Sequence, residues 1–277
     1  MSSGHGGAAL GSDAGWQEVS RGYQEYLVPA MFAPLAERVA EMVEAGPGDR
    51  ALDVACGTGA LSRVLARRVG RSGRVVGLDR TPAMLEVAGT QPGGDGAEIE
   101  FVQGSAEQLP FADGEFSVVT CQQGLQFMSD RVPALAEFRR VLGPAGRAAV
   151  ACWSDLAASA GFRALAEGLS EQIGPEAGRL MATPFVLSDP AELRILLEQA
   201  GFSDVVVEIE RIAASFADAG NFVQRALTAG PIMTSFRSAT ASQRQGVVDH
   251  VAAALDPLRD GDTVTFEMPS LVAVARV

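Results

Sequence analysis

The chain has 277 residues, 47% of them apolar and 20% charged, with a formal net charge of −12. That balance fits a globular chain with ample core and excludes disorder for its body, whose mark is low hydrophobicity. It also argues against nucleic acid, which is held by phosphate neutralisation, and no apolar run reaches the roughly 20 residues of a membrane-spanning helix.

Residue types exclude more. All 22 basic residues are Arg and none is Lys, a skew that GC-rich coding explains, since Asn occurs only at Asn221. Without Lys there is no Schiff-base or pyridoxal-phosphate chemistry, no P-loop and no ordinary ATP phosphoryl transfer. With only His5 and His250, a conventional Ser/His/Asp triad or a His-rich metal centre has almost nothing to be built from. Cys56, Cys121 and Cys152 are widely spaced, form no CxxC pair and predict reduced, buried thiols in a cytoplasmic protein. No metal site is expected.

In chain order, residues 1–15 are rich in Gly, Ser and Ala and read as a flexible tail, not a signal peptide. Trp16–Ala45 has apolar residues at helical spacing and predicts one or two helices, ended by Gly46-Pro47-Gly48-Asp49. Short apolar runs then alternate with helical ones. Strands are expected at Arg50–Ala55, Arg74–Leu78, Ile99–Val102, Phe116–Cys121 and Arg147–Cys152, and helices at Leu61–Val69, Pro82–Ala88 and Val132–Leu142. Thr81 is the expected cap of the second of these helices, with Pro82 at its first position. Asp189-Pro190-Ala191-Glu192 has the form of a capping box, opening a helix that Gly201 ends. Val205–Ile212 and Thr263–Val277 read as strands. Such alternation implies βαβ units and a parallel sheet.

The strongest local signal is Asp53-Val54-Ala55-Cys56-Gly57-Thr58-Gly59, where a buried strand enters a glycine-rich turn and then a helix. Glycines there allow a tight turn and close approach of a ligand to the backbone. Asp79 ends the next strand, 20 residues after Gly59, where a carboxylate accepts hydrogen bonds from ribose hydroxyls. Ser62 stands where the dinucleotide fingerprint wants Gly or Ala, which counts against a nicotinamide-dependent oxidoreductase.

With these residues the chain resembles the class I S-adenosylmethionine-dependent methyltransferases, most of all their small-molecule and quinone branch. The resemblance spans about residues 50–153. It continues through Gly77-Leu78-Asp79-Arg80-Thr81-Pro82, Gly104-Ser105-Ala106-Glu107-Gln108-Leu109-Pro110-Phe111, Phe116-Ser117-Val118-Val119 and Ala136-Glu137-Phe138-Arg139-Arg140. It implies a Rossmann-like, doubly wound α/β fold whose mostly parallel, seven-stranded sheet ends in an antiparallel strand. It also implies S-adenosylmethionine as cofactor. In that likeness Asp53 orders the turn and receives hydrogen bonds around the methionine amino group. The backbone of Ala55, Cys56 and Gly57 lines the methionine, and Asp79 takes the ribose diol. Arg80 and Met84 flank the adenine, Gly104, Ser105 and Ala106 meet its edge, Gln122 sits beside the methionine, and Tyr23 closes over the cofactor. Ser105 stands where many relatives carry Asp.

Around a core of about 46–154, 188–214 and 261–277, the stretches 16–45, 155–187 and 215–260 are expected to form a helical cap over the ligand edge, with Phe162, Leu165, Leu169 and Phe222 among its apolar residues. All of 16–277 then counts as one methyltransferase domain.

Methyl transfer asks mainly for alignment, and for a base only if the nucleophile must lose a proton. Relatives often carry His–His ahead of an Asp; here Gln126 and Phe127 precede Asp130. Gln126 can orient a hydroxyl but not take its proton. His250, Asp155 and Glu18 are the remaining candidate bases. The reading is O-methylation of an acidic hydroxyl or carboxylate on a lipophilic secondary metabolite. C-methylation, or a cyclase or binding protein holding the cofactor structurally, are the alternatives. Neither nucleic acid nor a membrane span is expected, and a homodimer is left open.

Overall fold

The computed structural model describes residues 13–227 and 236–277. The tail expected over 1–15 lies mostly outside them, as do residues 228–235 of the expected cap. Two compact units divide the chain: Phe32–Ser154, Pro184–Arg211 and Pro269–Val277 form one, and Met1–Met31, Asp155–Thr183 and Ile212–Met268 the other.

The first unit is built on a sheet. Its strands are β1 (Arg50–Val54), β2 (Arg74–Asp79), β3 (Ile99–Gln103), β4 (Phe116–Gln122) and β5 (Leu142–Trp153). β6 (Ser203–Phe216) and β8 (Thr263–Arg276) have residues in both units, and the two-residue β7 (Arg259–Asp260) pairs with β8. The strand order is β3-β2-β1-β4-β5-β8-β6. Pairings among β1 to β5 are parallel, and β8 runs antiparallel to β5, with Ser270 opposite Trp153. The doubly wound sheet and its reversed strand are thus as expected. β5 begins at Leu142, earlier than expected, because a register shift between Phe116 and Val118 accommodates the glycine-rich stretch 143–146.

Burial on both faces explains the near-continuous apolar strands. Leu52 and Val54 of β1 pack with Val76 and Leu78 of β2 and with Leu135 and Phe138 of α5 (Arg131–Val141) and Leu193 and Leu197 of α8 (Pro190–Gln199). Ala51 and Asp53 point to the other face, where α2 (Ala33–Met42) and α3 (Ala60–Val69) pack together, while α4 (Pro82–Thr90) lies against β2 and β3. Asp189 does cap α8, accepting from the Ala191 N–H at 2.8 Å, but Glu192 turns away to Arg131 at 3.1 Å, so the expected capping box is half formed.

The other unit is mostly helical, with α1 (Asp13–Gly22), a π-helical segment Tyr23–Phe32 that contains Pro29, α6 (Ala160–Gln172), α7 (Pro175–Ala182), α9 (Ala219–Leu227) and α10 (Ala241–Leu255). Phe162, Phe216, Phe222 and Phe266 form its aromatic core, with ring centroids as close as 4.9 Å. Leu165 and Leu169 are buried as well, so these apolar residues pack their own unit. Among the described residues, no helix is long and apolar enough to cross a membrane.

Candidate active site

The succession of parallel strands reverses at β1, with β2 and β3 on one side and β4 and β5 on the other. In open α/β sheets the ligand crevice lies outside the carboxyl ends at such a point. Two turns of the sheet unit meet there, one following β1 and one following β4.

The first turn, Ala55–Gly59, holds three residues in the left-handed region: Ala55 at φ 56°, Gly57 at 56° and Gly59 at 79°. Glycine accepts this freely, whereas Ala55 stores about 1 kcal/mol of strain. Space also demands Gly59, since a Cβ there would stand 2.9 Å from the Phe101 ring. Asp53 anchors the turn from below. It is 1% exposed; Oδ2 accepts from the Ser62 hydroxyl at 2.6 Å and Oδ1 from the Thr120 hydroxyl at 3.1 Å. Ser62, a departure from the dinucleotide pattern, is therefore the partner this buried carboxylate needs. Burial pushes the Asp53 carboxyl up to about 7, against the pull of its hydroxyl donors.

Asp79 ends β2 and joins two loops. Its Oδ2 accepts the Gly57 N–H and its Oδ1 the Thr81 N–H, both at 2.8 Å. Burial raises its pKa, and those two backbone donors oppose the rise. Each oxygen keeps lone-pair capacity for a ligand hydroxyl. Thr81 occupies the cap position of α4 without a side-chain cap bond, which corrects the expected cap: it serves Asp79 through its N–H. Gly104 donates its N–H to the Asp79 carbonyl at 3.0 Å, tying the loop after β3 to the same strand end. Around it, Arg80 and Ser105 are exposed, and Met84 and Ala106 half-buried. The Ser105 hydroxyl accepts from the Glu107 N–H at 3.2 Å. The Cys56 thiol is buried, and that burial raises its pKa.

The second turn, Gln122–Phe127, is organised by side chains. Gln122 projects on the same face as Thr120; its Nε2 donates to the Phe32 carbonyl at 2.9 Å, and its Oε1 is buried without a partner among the described residues. Gly124 lets the two turns touch, since a Cβ there would come within 2.6 Å of the Ala55 Cβ and 2.9 Å of the Cys121 sulfur. Sequence reasoning passed over Gly124; a glycine just past a strand was the available sign, but nothing local named its distant neighbour. Gln126 lies in the short 3₁₀ turn Leu125–Phe127 and is 4% exposed, its Nε2 donating to Gln123 Oε1 at 2.9 Å.

The remaining candidates fall in the helical unit and serve local structure there. His250 on α10 bonds Glu171 at 2.9 Å, with Glu167 at 3.8 Å. Glu18 pairs with Arg237, and Asp155 accepts the Ala157 N–H at 2.9 Å. Tyr23 opens the π-helical segment.

The residues present fit S-adenosylmethionine. A glycine cradle is half-open at Ala55 and Gly57, a carboxylate at the end of β2 suits a ribose, and the orphaned Gln122 Oε1 suits an ammonium donor. The Thr58 hydroxyl is likewise buried and unpartnered among the described residues.

Comparisons with known proteins agree. A family model described as a methyltransferase domain matches residues 51–146. The chain is 38% identical over 174 residues to a 2-phytyl-1,4-naphtoquinone methyltransferase of Thermosynechococcus vestitus, covering 60% of this chain and 77% of that one. It is 36% identical over 183 residues to a demethylmenaquinone methyltransferase of Staphylococcus carnosus, covering 62% and 75%. A solved putative methyltransferase of Bacillus halodurans shares the fold with a TM-score of 0.57 at 21% identity, covering 87% of this chain and 97% of that one.

Proposed function

We propose that this chain, which belongs to the class I S-adenosylmethionine-dependent methyltransferases, methylates a ring carbon of a lipophilic, hydroxylated aromatic compound of the quinol class. The observation that carries this reading is the turn Gln122–Phe127, which offers amides and apolar surface but no ionisable group. An acceptor there must be nucleophilic by itself. A quinol ring carbon beside a hydroxyl is electron-rich, so the protein has to align it more than activate it. The new C–C bond forms as the methyl–sulfur bond breaks, and the displaced ring proton passes to water, which restores the aromatic ring. The sequence alone puts O-methylation of a secondary metabolite first. The quinone substrates in the names of the two relatives bring the ring carbon ahead of the oxygen.

When bound, the cofactor supplies a methyl group on a positively charged sulfur whose leaving group is neutral. In this reading Asp79 holds the ribose hydroxyls while Asp53 and Ser62 keep the glycine turn in shape. Gln122 Oε1 accepts from the amino-acid ammonium. Arg80, Met84, Ser105 and Ala106 flank the base, and the amide of Gln126 faces the acceptor.

Mass spectrometry of the product formed from a demethylated naphthoquinol under reducing conditions tests the assignment. A methyl group on the ring carbon is the expected result. A methoxy product, or no transfer to any quinol, would overturn it.

A further inference from the structure

Arg63 is a cation placed where elementary physics disfavours one. It lies early in α3, close to the positive end of the helix dipole, and it is half-buried. Burial, and then Arg67 one turn on, hold its pKa below the usual arginine range, while Asp53 opposes them. A long side chain on a helix leans toward the amino-terminal turn, so Arg63 lies back over Gly59. A Cβ on Gly59 would stand 3.1 Å from Arg63 Nη1 and 2.9 Å from the Phe101 ring. The guanidinium and the ring therefore flank the same glycine.

What this position gains is a carbonyl of the glycine turn. Arg63 Nη1 donates to the Thr58 carbonyl at 2.7 Å. The Gly59 N–H, the other half of the same peptide unit, donates to the Cys56 carbonyl at 2.9 Å. The Thr58–Gly59 peptide is thus held at both ends, and its carbonyl end is held by a side chain. That peptide is a soft point. It leads into a left-handed glycine at φ 79°, a residue that reaches many other conformations at no steric cost. Thr58 itself is fully buried, with a hydroxyl unpartnered among the described residues. Left to itself, the turn would exchange this arrangement for others that rotate the peptide or satisfy the hydroxyl.

We propose that Arg63 is a positioning residue for the cofactor: by fixing the Thr58 carbonyl it keeps the ligand-free glycine turn in the shape that receives S-adenosylmethionine. It acts through the backbone and needs no contact with the cofactor. Without it the turn is competent only part of the time, and the apparent affinity falls by that fraction. A ligand that binds only the competent shape restores it, so the looseness disappears in the bound state. Only the cofactor is involved, so the identity of the acceptor does not enter.

The test is calorimetry of S-adenosylhomocysteine with full-length wild type, Arg63→Met and Arg63→Lys. Amide hydrogen exchange over residues 56–60 is measured alongside, with and without saturating ligand. Arg63→Met keeps an apolar stem but no donor. It should bind about tenfold more weakly, as a turn competent about one-tenth of the time would. Its exchange over 56–60 should be faster than that of wild type without ligand and equal to it at saturation. Arg63→Lys, which keeps a charged donor without the planar fork, should recover part of the affinity. Unchanged affinity in Arg63→Met would overturn the proposal. Weaker binding with wild-type exchange would do the same, because Arg63 would then meet the ligand directly. Exchange that stays fast at saturation would also overturn it, as the mark of a generally loosened fold. Arg63→Lys binding no better than Arg63→Met would show that the hydrogen bond is not what holds the turn.

Discussion

The turn after β1 and the turn after β4 press against each other at Ala55 and Gly124, yet they are made by opposite means. In the first, backbone conformation does the work: three left-handed residues within five positions shape the cradle, and Asp53 and Asp79 brace it from behind. In the second, side-chain amides do it, with partners on β8 and just before α2, while the Gln123 main-chain N–H reaches β5. A backbone cradle suits a ligand common to many enzymes, since it depends on a few glycines at fixed spacing. Side-chain acceptors suit a ligand particular to one enzyme, since single substitutions retune them without disturbing the chain's path.

Breaking the brace under the first turn should have the largest effect. Burial pushes the Asp53 carboxyl up to about 7 in the folded chain, above the ordinary carboxylate value of about 4 that it has when unfolded. A carboxyl raised on folding contributes stability that is fully present below the unfolded value and is lost as pH climbs through the folded one. Wild type should therefore lose up to ~4 kcal/mol relative to Asp53→Asn between about pH 4 and pH 7, at ~1.4 kcal/mol per unit. Urea unfolding of both proteins across that range reads it directly; parallel stability curves would show that Asp53 keeps an ordinary pKa.

Next comes the contact between the turns. Gly124→Ala puts a methyl group 2.6 Å from the Ala55 Cβ, and overpacking of this kind costs about 1–3 kcal/mol. Because the displaced partner belongs to the first turn, cofactor affinity should fall along with stability. A variant that melts lower but binds S-adenosylhomocysteine as wild type does would separate the two turns.

The smallest effect should come from outside both. His250 lies in the helical unit, partly exposed, against Glu171 and Glu167. His250→Ala should cost less than about 1 kcal/mol, the range for exposed ion pairs. Turnover should fall by much less than the roughly hundredfold that marks loss of a general base. A larger drop in kcat would place His250 in the chemistry.

The same contrast explains what could be read before the fold was seen. Strands β1, β2, β4 and β5 were legible because each is apolar on both faces, and the first turn was legible because its two glycines stand one residue apart in the chain. Asp79 followed from its spacing. The second turn was legible only in part: Gln122 and Gln126 could be named from their place after a strand, but a side-chain hydrogen bond joins Gln123 to Ser270 across 147 residues. Ser62 looked like a mere deviation until Asp53, on the strand below, turned out to need its hydroxyl. Local rules misjudged ends as well. Thr81 gives its N–H to Asp79 and makes no side-chain cap, and Thr240 with Gln243 forms the full capping box that Asp189 and Glu192 do not. In each case a partner distant in sequence decided the outcome.

The central claim is that the end of β2 and the glycine turn hold the adenosyl cofactor, with Asp79 as the ribose acceptor. Isothermal titration of S-adenosylhomocysteine into wild type and Asp79→Ala tests it most directly. Micromolar binding is expected for wild type, about −8 kcal/mol, with a loss of about 1.5–3 kcal/mol in the variant, the value of a hydrogen bond to a charged group. No binding to wild type, or the same affinity in both proteins, would contradict it.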